Sequence, residues 1–125
     1  MVKKQTGGAA LAAAAQRYLE EHSRERFSLE QLAGALFVNG SYLMRVFRRH
    51  VGTTPLSYHH MLRCRAAEEL LTGTDKSISE IGETVGFVSS SHFSHIFRKL
   101  EGCSPREYRL RHLREVGSPE AGASL

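Results

Sequence analysis

The stretch GFVSSSHFSHIFRKLEGCSPREY, from Gly86 to Tyr108, is a near copy of LFVNGSYLMRVFRRHVGTTPLSY, from Leu36 to Tyr58. Upstream of each, Leu29, Leu32 and Leu36 match Ile78, Ile81 and Val85 at an offset of 49. Past the turn the offset becomes 50: Ser41 matches Ser91, Leu43 matches Phe93, Val46 matches Ile96, and Phe47-Arg48 matches Phe97-Arg98. Gly52, Pro55 and Tyr58 then match Gly102, Pro105 and Tyr108. Two copies make a duplicated module rather than a solenoid. Each reads as a short helix, a tight turn and a second helix, with Asn39-Gly40 at the first turn and Gly86, Ser89 and Ser90 at the second. Two helices joined so briefly need a third at their back to bury their apolar faces. That is the plan of a helix-turn-helix, whose second helix projects from the surface.

Start and stop signals extend this reading along the chain. Ser28 with Gln31, and Ser77 with Glu80, fit capping boxes. Thr54-Pro55 and Ser104-Pro105 each set a capping hydroxyl before a proline suited to the first helical turn, and Glu107 completes a box at the latter. Gly52, Gly73 and Gly102 follow helical runs and suit helix closure. The spacing predicts an all-α protein of seven helices, at 9–21, 29–36, 40–51, 55–71, 78–85, 90–100 and 105–114. The expected organisation is a disordered N-terminus over 1–8 and a first helix-turn-helix subdomain over 9–54. A linker helix over 55–71, a second subdomain over 72–114 and a disordered tail over 115–125 follow. The linker carries Tyr58, Met61, Leu62, Ala66 and Leu70 on one stripe and reads as a rigid spacer about 25 Å long.

The chain has 125 residues and a formal net charge of +4. Its basic residues are unevenly placed. Between Gln31 and Ala67 there is no Asp or Glu, yet Arg45, Arg48, Arg49, Arg63 and Arg65 fall there. A basic face that carboxylates avoid attracts polyanions. Residues placed at 100° intervals sort each second helix into two sides. In copy one, Leu43, Val46, Phe47 and His50 fall inward, and Ser41, Arg45, Arg48 and Arg49 outward, with Met44 on the flank. In copy two, Phe93, Ile96, Phe97 and Leu100 fall inward, and Ser91, His95, Arg98 and Lys99 outward, with Ser94 on the flank. Small residues at a helix start let the backbone approach base edges, and long cations one and two turns later reach phosphates. The expected base readers are Ser41, Met44, Arg45, Ser90, Ser91, Ser94 and His95. Met44 suits a thymine methyl or packing against a neighbouring helix equally. The expected phosphate contacts are Arg48, Arg49, Arg98 and Lys99, together with backbone N–H groups at the helix starts Ser28 and Ser77.

The run ISEIGETVGFVSSSHFSHIFRKLEGCSPREYR, from Ile78 to Arg109, resembles the DNA-binding domain of the AraC/XylS family of bacterial transcription regulators. Members show an I-x-x-I-A…VGF…S-x-F-S-R-x-F-K-K…G-x-[ST]-P-x-x-Y-R pattern there. RCRAAEELL, from Arg63 to Leu71, is similar to the family's spacer helix, and the likeness covers residues 10–112. It implies a sequence-specific regulator that inserts two recognition helices into consecutive major grooves of double-stranded DNA. A single chain would then read an asymmetric site. The resemblance also implies contact with RNA polymerase. Many members carry a separate sensing or dimerising domain, so the chain is expected to be a small stand-alone regulator or a fragment of a longer one. The isolated domain is expected to be monomeric, and a longer parent could be dimeric. Two residues depart from the pattern. Gly82 stands where alanine is usual, costing up to about 1 kcal/mol of helix propensity unless it permits close packing. His95 stands where arginine is common, while Arg45 keeps that arginine in copy one. Copy one is therefore expected to supply more base specificity, and copy two more phosphate anchoring or shape readout.

Rival readings have less behind them. His92 and His95 lie at i, i+3 and His59-His60 are adjacent, but no cysteine or carboxylate ligand lies beside the former pair, so no metal and no cofactor is expected. There is no glycine-rich phosphate loop and no HExxH, and Ser89-Ser90-Ser91 suits capping better than nucleophilic chemistry, so no enzyme is expected. A helical adaptor for proteins, or a DNA binder without sequence preference, is the alternative. No apolar run reaches membrane-spanning length. The stretch GGAALAAAAQ is too alanine-rich for a secretory signal, and two cysteines, Cys64 and Cys103, make no disulfide framework. The cytoplasm is the expected compartment.

Overall fold

The computed structural model describes the backbone of residues 2–113 and the side chains of residues 7–113. Seven helices and no strand occur among them: α1 (Val2–Glu21), α2 (Leu29–Ala35), α3 (Gly40–Val51), α4 (Pro55–Gly73), α5 (Ile78–Thr84), α6 (Ser90–Glu101) and α7 over 105–113. The serine and threonine caps act where the sequence places them, but the box expected at Ser28 and Gln31 forms by half, and Gly73 ends α4 as a helical residue rather than closing it in the left-handed conformation. Ser28 Oγ accepts from the Gln31 amide at 3.1 Å, and Thr54 Oγ1 from the Ser57 amide at 3.1 Å. Ser77 and Glu80 form a reciprocal box at 3.0 and 2.9 Å, as do Ser104 and Glu107 at 3.1 and 2.9 Å. Each such cap satisfies helix-end N–H groups and contributes about 0.5–2 kcal/mol.

The first helix is longer than the sequence suggests. It begins at Val2, so the expected disordered segment over 1–8 is helical from its second residue. Lys3, Lys4 and Gln5 favour helix, and extending an existing helix requires no new nucleation. Gly8 is part of this extension. A Cβ there would stand 2.8 Å from Nε2 of His50, so the glycine lets the imidazole close in. The expected tail over 115–125 lies outside the described residues.

The chain forms two compact units, Met1–Leu62 and Arg63–Leu125, and the boundary falls inside α4. The sequence reading treats α4 as a spacer, but it builds both cores. Tyr58 is buried in the first unit with Ala15, Leu19, Leu32, Ala33, Leu43 and Phe47. Cys64, Ala67 and Leu71 are buried in the second with Ile81, Val85, Phe87, Phe93, Ile96 and Phe97. A two-helix motif needs a third helix behind it, and burial of each large apolar side chain contributes about 1.5–3 kcal/mol. Within unit 1, α1 and α4 supply that backing. Within unit 2, the C-terminal part of α4 does.

The repeat is visible in tertiary structure. Phe47 meets Tyr58 edge-on at 5.7 Å and 73°, and Phe97 meets Tyr108 edge-on at 5.5 Å and 83°. The two tyrosines sit at matching places after a Pro-started helix turn. In unit 1 the Tyr58 hydroxyl donates to Glu20 Oε2 at 3.2 Å. In unit 2, Arg109 beside Tyr108 donates from Nε to the Leu71 carbonyl at 2.9 Å and from a terminal nitrogen to the Thr74 carbonyl at 3.2 Å. These bonds satisfy acceptors at the C-terminal end of α4 and fasten α7 to it.

Candidate nucleic-acid interface

Helices α3 and α6 start and stop alike. Asn39 Oδ1 accepts from the Tyr42 amide at 2.8 Å, and Ser89 Oγ from the His92 amide at 3.0 Å. Gly52 and Gly102 close them in the left-handed conformation, at φ 91° and 84°. The turns that lead into them differ. The left-handed residue is Phe37, at φ 61°, in the first turn and Gly86, at φ 110°, in the second. The second turn is one residue longer, and its extra residue, Val88, is 92% exposed, as is Phe37.

The inward faces are as the 3.6-residue period requires, with one correction at each C-terminal end. Leu43, Val46 and Phe47 are buried, and so are Phe93, Ile96 and Phe97. His50 and Leu100, assigned inward from the sequence, are exposed, Leu100 by 44%. Both sit in the last turn of their helices. Gly82 answers the question its departure from the family pattern raises. It is buried, and a Cβ on it would stand 2.8 Å from Cδ2 and 3.0 Å from Cβ of Phe93. The glycine therefore admits a phenylalanine at the heart of α6.

The outward sets remain at the surface. Ser41, Arg45, Arg48 and Arg49 on α3 are exposed and Met44 is half-buried; Ser90, Ser91, His95, Arg98 and Lys99 on α6 are exposed and Ser94 is half-buried. Arg48 and Arg49, and Arg98 and Lys99, fall in the last turn of their helices, where cations suit the helix dipole. Arg63, counted with the basic face in the sequence, is not on it. It is buried, with its guanidinium 5.2 Å from the Phe87 ring centroid, and burial lowers its pKa. Ser28 and Ser77 spend their hydroxyls on capping, and the Ser77 amide is also taken by Glu80, so what α2 and α5 offer outward there is the remaining N–H groups of the first turn.

Sequence reading missed Tyr42. Its ring is 41% exposed, and the Arg45 guanidinium lies 5.7 Å from its centroid. The signal was available, since an aromatic and a cation at i, i+3 on a helix are neighbours. Its counterpart His92 is half-buried instead, edge-on to Phe87 at 5.4 Å. Among the described residues no group of three or more His, Cys, Asp or Glu could hold a metal ion. Cys64 is buried, and burial, with Glu101 and Glu68 adding to it, pushes its thiol up to about 12, which makes it a packing residue. Cys103, in the turn between α6 and α7, is buried too. No helix among the described residues is long and apolar enough to cross a membrane.

Comparison with known proteins places this arrangement. The family model described as a helix-turn-helix domain matches residues 32–111. The chain is 39% identical over 92 residues to the HTH-type transcriptional activator RhaS of Escherichia fergusonii, covering 74% of this chain and 33% of that protein. It thus spans about one third of the length of the curated relatives it matches. It is similar to a Chromobacterium violaceum transcriptional regulator described among AraC-type DNA-binding domain-containing proteins, with TM-score 0.77 and 34% identity, covering 86% of this chain and 96% of that one. It is also similar to the DNA-binding domain of AdpA, solved in complex with a target DNA, with TM-score 0.76 and 31% identity over 83% of this chain and 93% of that one. With two helix-turn-helix motifs built on a shared helix and matched in sequence and in structure, the chain belongs to the AraC/XylS family and carries its DNA-binding domain.

Proposed function

We propose that this chain binds double-stranded DNA sequence-specifically and regulates transcription, with α3 and α6 each entering a major groove. The observation that carries this reading is the pair of outward faces: both are exposed, cationic toward the C-terminal end and small at the start; α3 carries no carboxylate, and the one on α6, Glu101, is half-buried beside Glu68. Ser41, Met44 and Arg45 read bases in one groove, and Ser90, Ser91, Ser94 and His95 in the other. Arg45 is the strongest reader, because arginine pairs bidentately with guanine O6 and N7, worth about 1–3 kcal/mol of discrimination. Arg48, Arg49, Arg98 and Lys99 hold phosphates, helped by N–H groups at the helix starts capped by Ser28 and Ser77. The family likeness supports consecutive grooves, about 34 Å apart along the duplex, read by one monomeric chain. It supports contact with RNA polymerase and a cytoplasmic location in the same way.

The test is selection of duplexes from a random pool, followed by titration of the winner and a random duplex across salt concentrations. A specific regulator prefers its site by about 10³ or more at physiological salt. Binding that is steeply salt-dependent but shows no preference would favour the non-specific alternative. Arg45→Ala should relax preference at one base position by about 1–3 kcal/mol, whereas Arg49→Ala or Lys99→Ala should weaken all sequences alike and lower the salt slope by about one unit.

A further inference from the structure

The base-reading role given to Arg45 raises the question of what holds a long, flexible side chain ready at the surface. An arginine free in solvent samples many rotamers, and binding must select one of them. Among the described residues no ion pair pins it. What stands beside it is Tyr42, one helical turn earlier, with its ring centroid 5.7 Å from the guanidinium carbon. That distance is within the range over which a ring face attracts a cation. The Tyr42 backbone is itself fixed, since its amide donates to the Asn39 cap at 2.8 Å. The ring is 41% exposed, so the core does not account for its presence. The matching position in α6 does something else: His92 is half-buried against Phe87, and the residue one turn on is His95.

We propose that Tyr42 is a positioning residue, whose ring face presets the Arg45 guanidinium for base reading and so concentrates sequence discrimination in the first unit. The inference rests on the proposed function. A guanidinium stacked on a ring keeps its N–H edge free, because the ring engages its face and a guanine engages its edge. The two contacts are compatible, and the first lowers the ordering cost of the second.

The experiment measures Kd for the selected duplex and for one with the Arg45-dependent base pair exchanged, using Tyr42→Leu, Tyr42→Phe, Arg45→Ala and the double variant Tyr42→Leu/Arg45→Ala. Thermal melts confirm that each variant is folded. Tyr42→Leu should reduce the preference about two- to fivefold, the ratio matching an exposed cation–ring contact. Tyr42→Phe, which keeps the ring, should retain it. In the Arg45→Ala background, Tyr42→Leu should change the preference no further. A full preference in Tyr42→Leu, or an equal loss with and without Arg45, would overturn the positioning role and leave Arg45 as a reader. An unchanged preference in Arg45→Ala would overturn the base-reading role and, with it, this inference.

Discussion

Unit 1 and unit 2 share a frame and fill it differently. Where unit 2 sets Gly82 beneath Phe93, unit 1 has Ala33 and Leu43 at the matching places, all four of them buried. One partner is smaller and the other larger, so the volume lost on α5 is regained on α6. The turn shows a second exchange, with Phe37 in one unit and Gly86 in the other at the left-handed residue. A third lies at the ends of α3 and α6. Val51 packs against the core of unit 1, while its counterpart Glu101 sits beside the Glu68 carboxyl. Burial, then the hydrogen bond and charge of Glu101, push Glu68 up to about 7. The difference teaches that interior positions in this fold diverge as pairs, whereas cap and turn positions diverge singly.

The strongest probe of that contrast is truncation of the shared aromatic anchor. Phe97→Ala removes a fully buried ring and should cost about 3–5 kcal/mol in urea unfolding. Gly82→Ala comes next. Its new methyl would press on Phe93 near the backbone, where the ring cannot swing aside. Overpacking of this kind costs about 1–3 kcal/mol, reduced by up to about 1 kcal/mol of regained helix propensity. Adding Phe93→Leu should recover much of the loss, and if the double variant is as unstable as the sum of the singles, compensation is the wrong account.

The turn exchange predicts opposite signs. Gly86→Ala should destabilise by about 1 kcal/mol, because its φ of 110° suits no side chain well, while Phe37→Gly should be neutral or stabilising by up to about 1 kcal/mol. Calorimetric melting of both variants checks this. The smallest effect is a pH dependence confined to unit 2. The fold favours the protonated Glu68, so the associated stability is complete below the usual glutamate value of 4.5 and drains away as pH rises through about 7. Glu80 and Glu107, held below the usual range by their bonds to Ser77 and Ser104, run the other way and lose stability only in more acid solution. Melting temperatures between about pH 5 and about pH 8 should therefore decline in the parent and flatten in Glu68→Gln.

Much of this was legible in the chain because it is local. Ser28, Thr54, Ser77 and Ser104 act as caps through bonds to residues three positions on, which spacing alone reveals. Start and stop signals revealed the seven helices, and the helical period revealed the buried faces of α3 and α6 up to their last turns. What spacing could not reveal is depth within the last turn of a helix. His50 and Leu100 continue the apolar side of their helices, but they are left at the surface. Arg63 looked like part of a basic face and is buried against Phe87, because charge runs carry no information on depth. The start of α1 was hidden for the opposite reason: its first residues show no apolar period, and it is their helix propensity and contiguity with the alanine run that extend the helix.

The close fit of Gly82 under Phe93 has a consequence for anyone who would exchange helices between the two units. Transplanting α3 wholesale into the place of α6 would bring Leu43 over Gly82 and leave a hollow, while the reverse exchange would drive Phe93 onto the methyl of Ala33. Surface letters can be traded between the halves one at a time, but a whole helix travels only with the companion that was shaped to it.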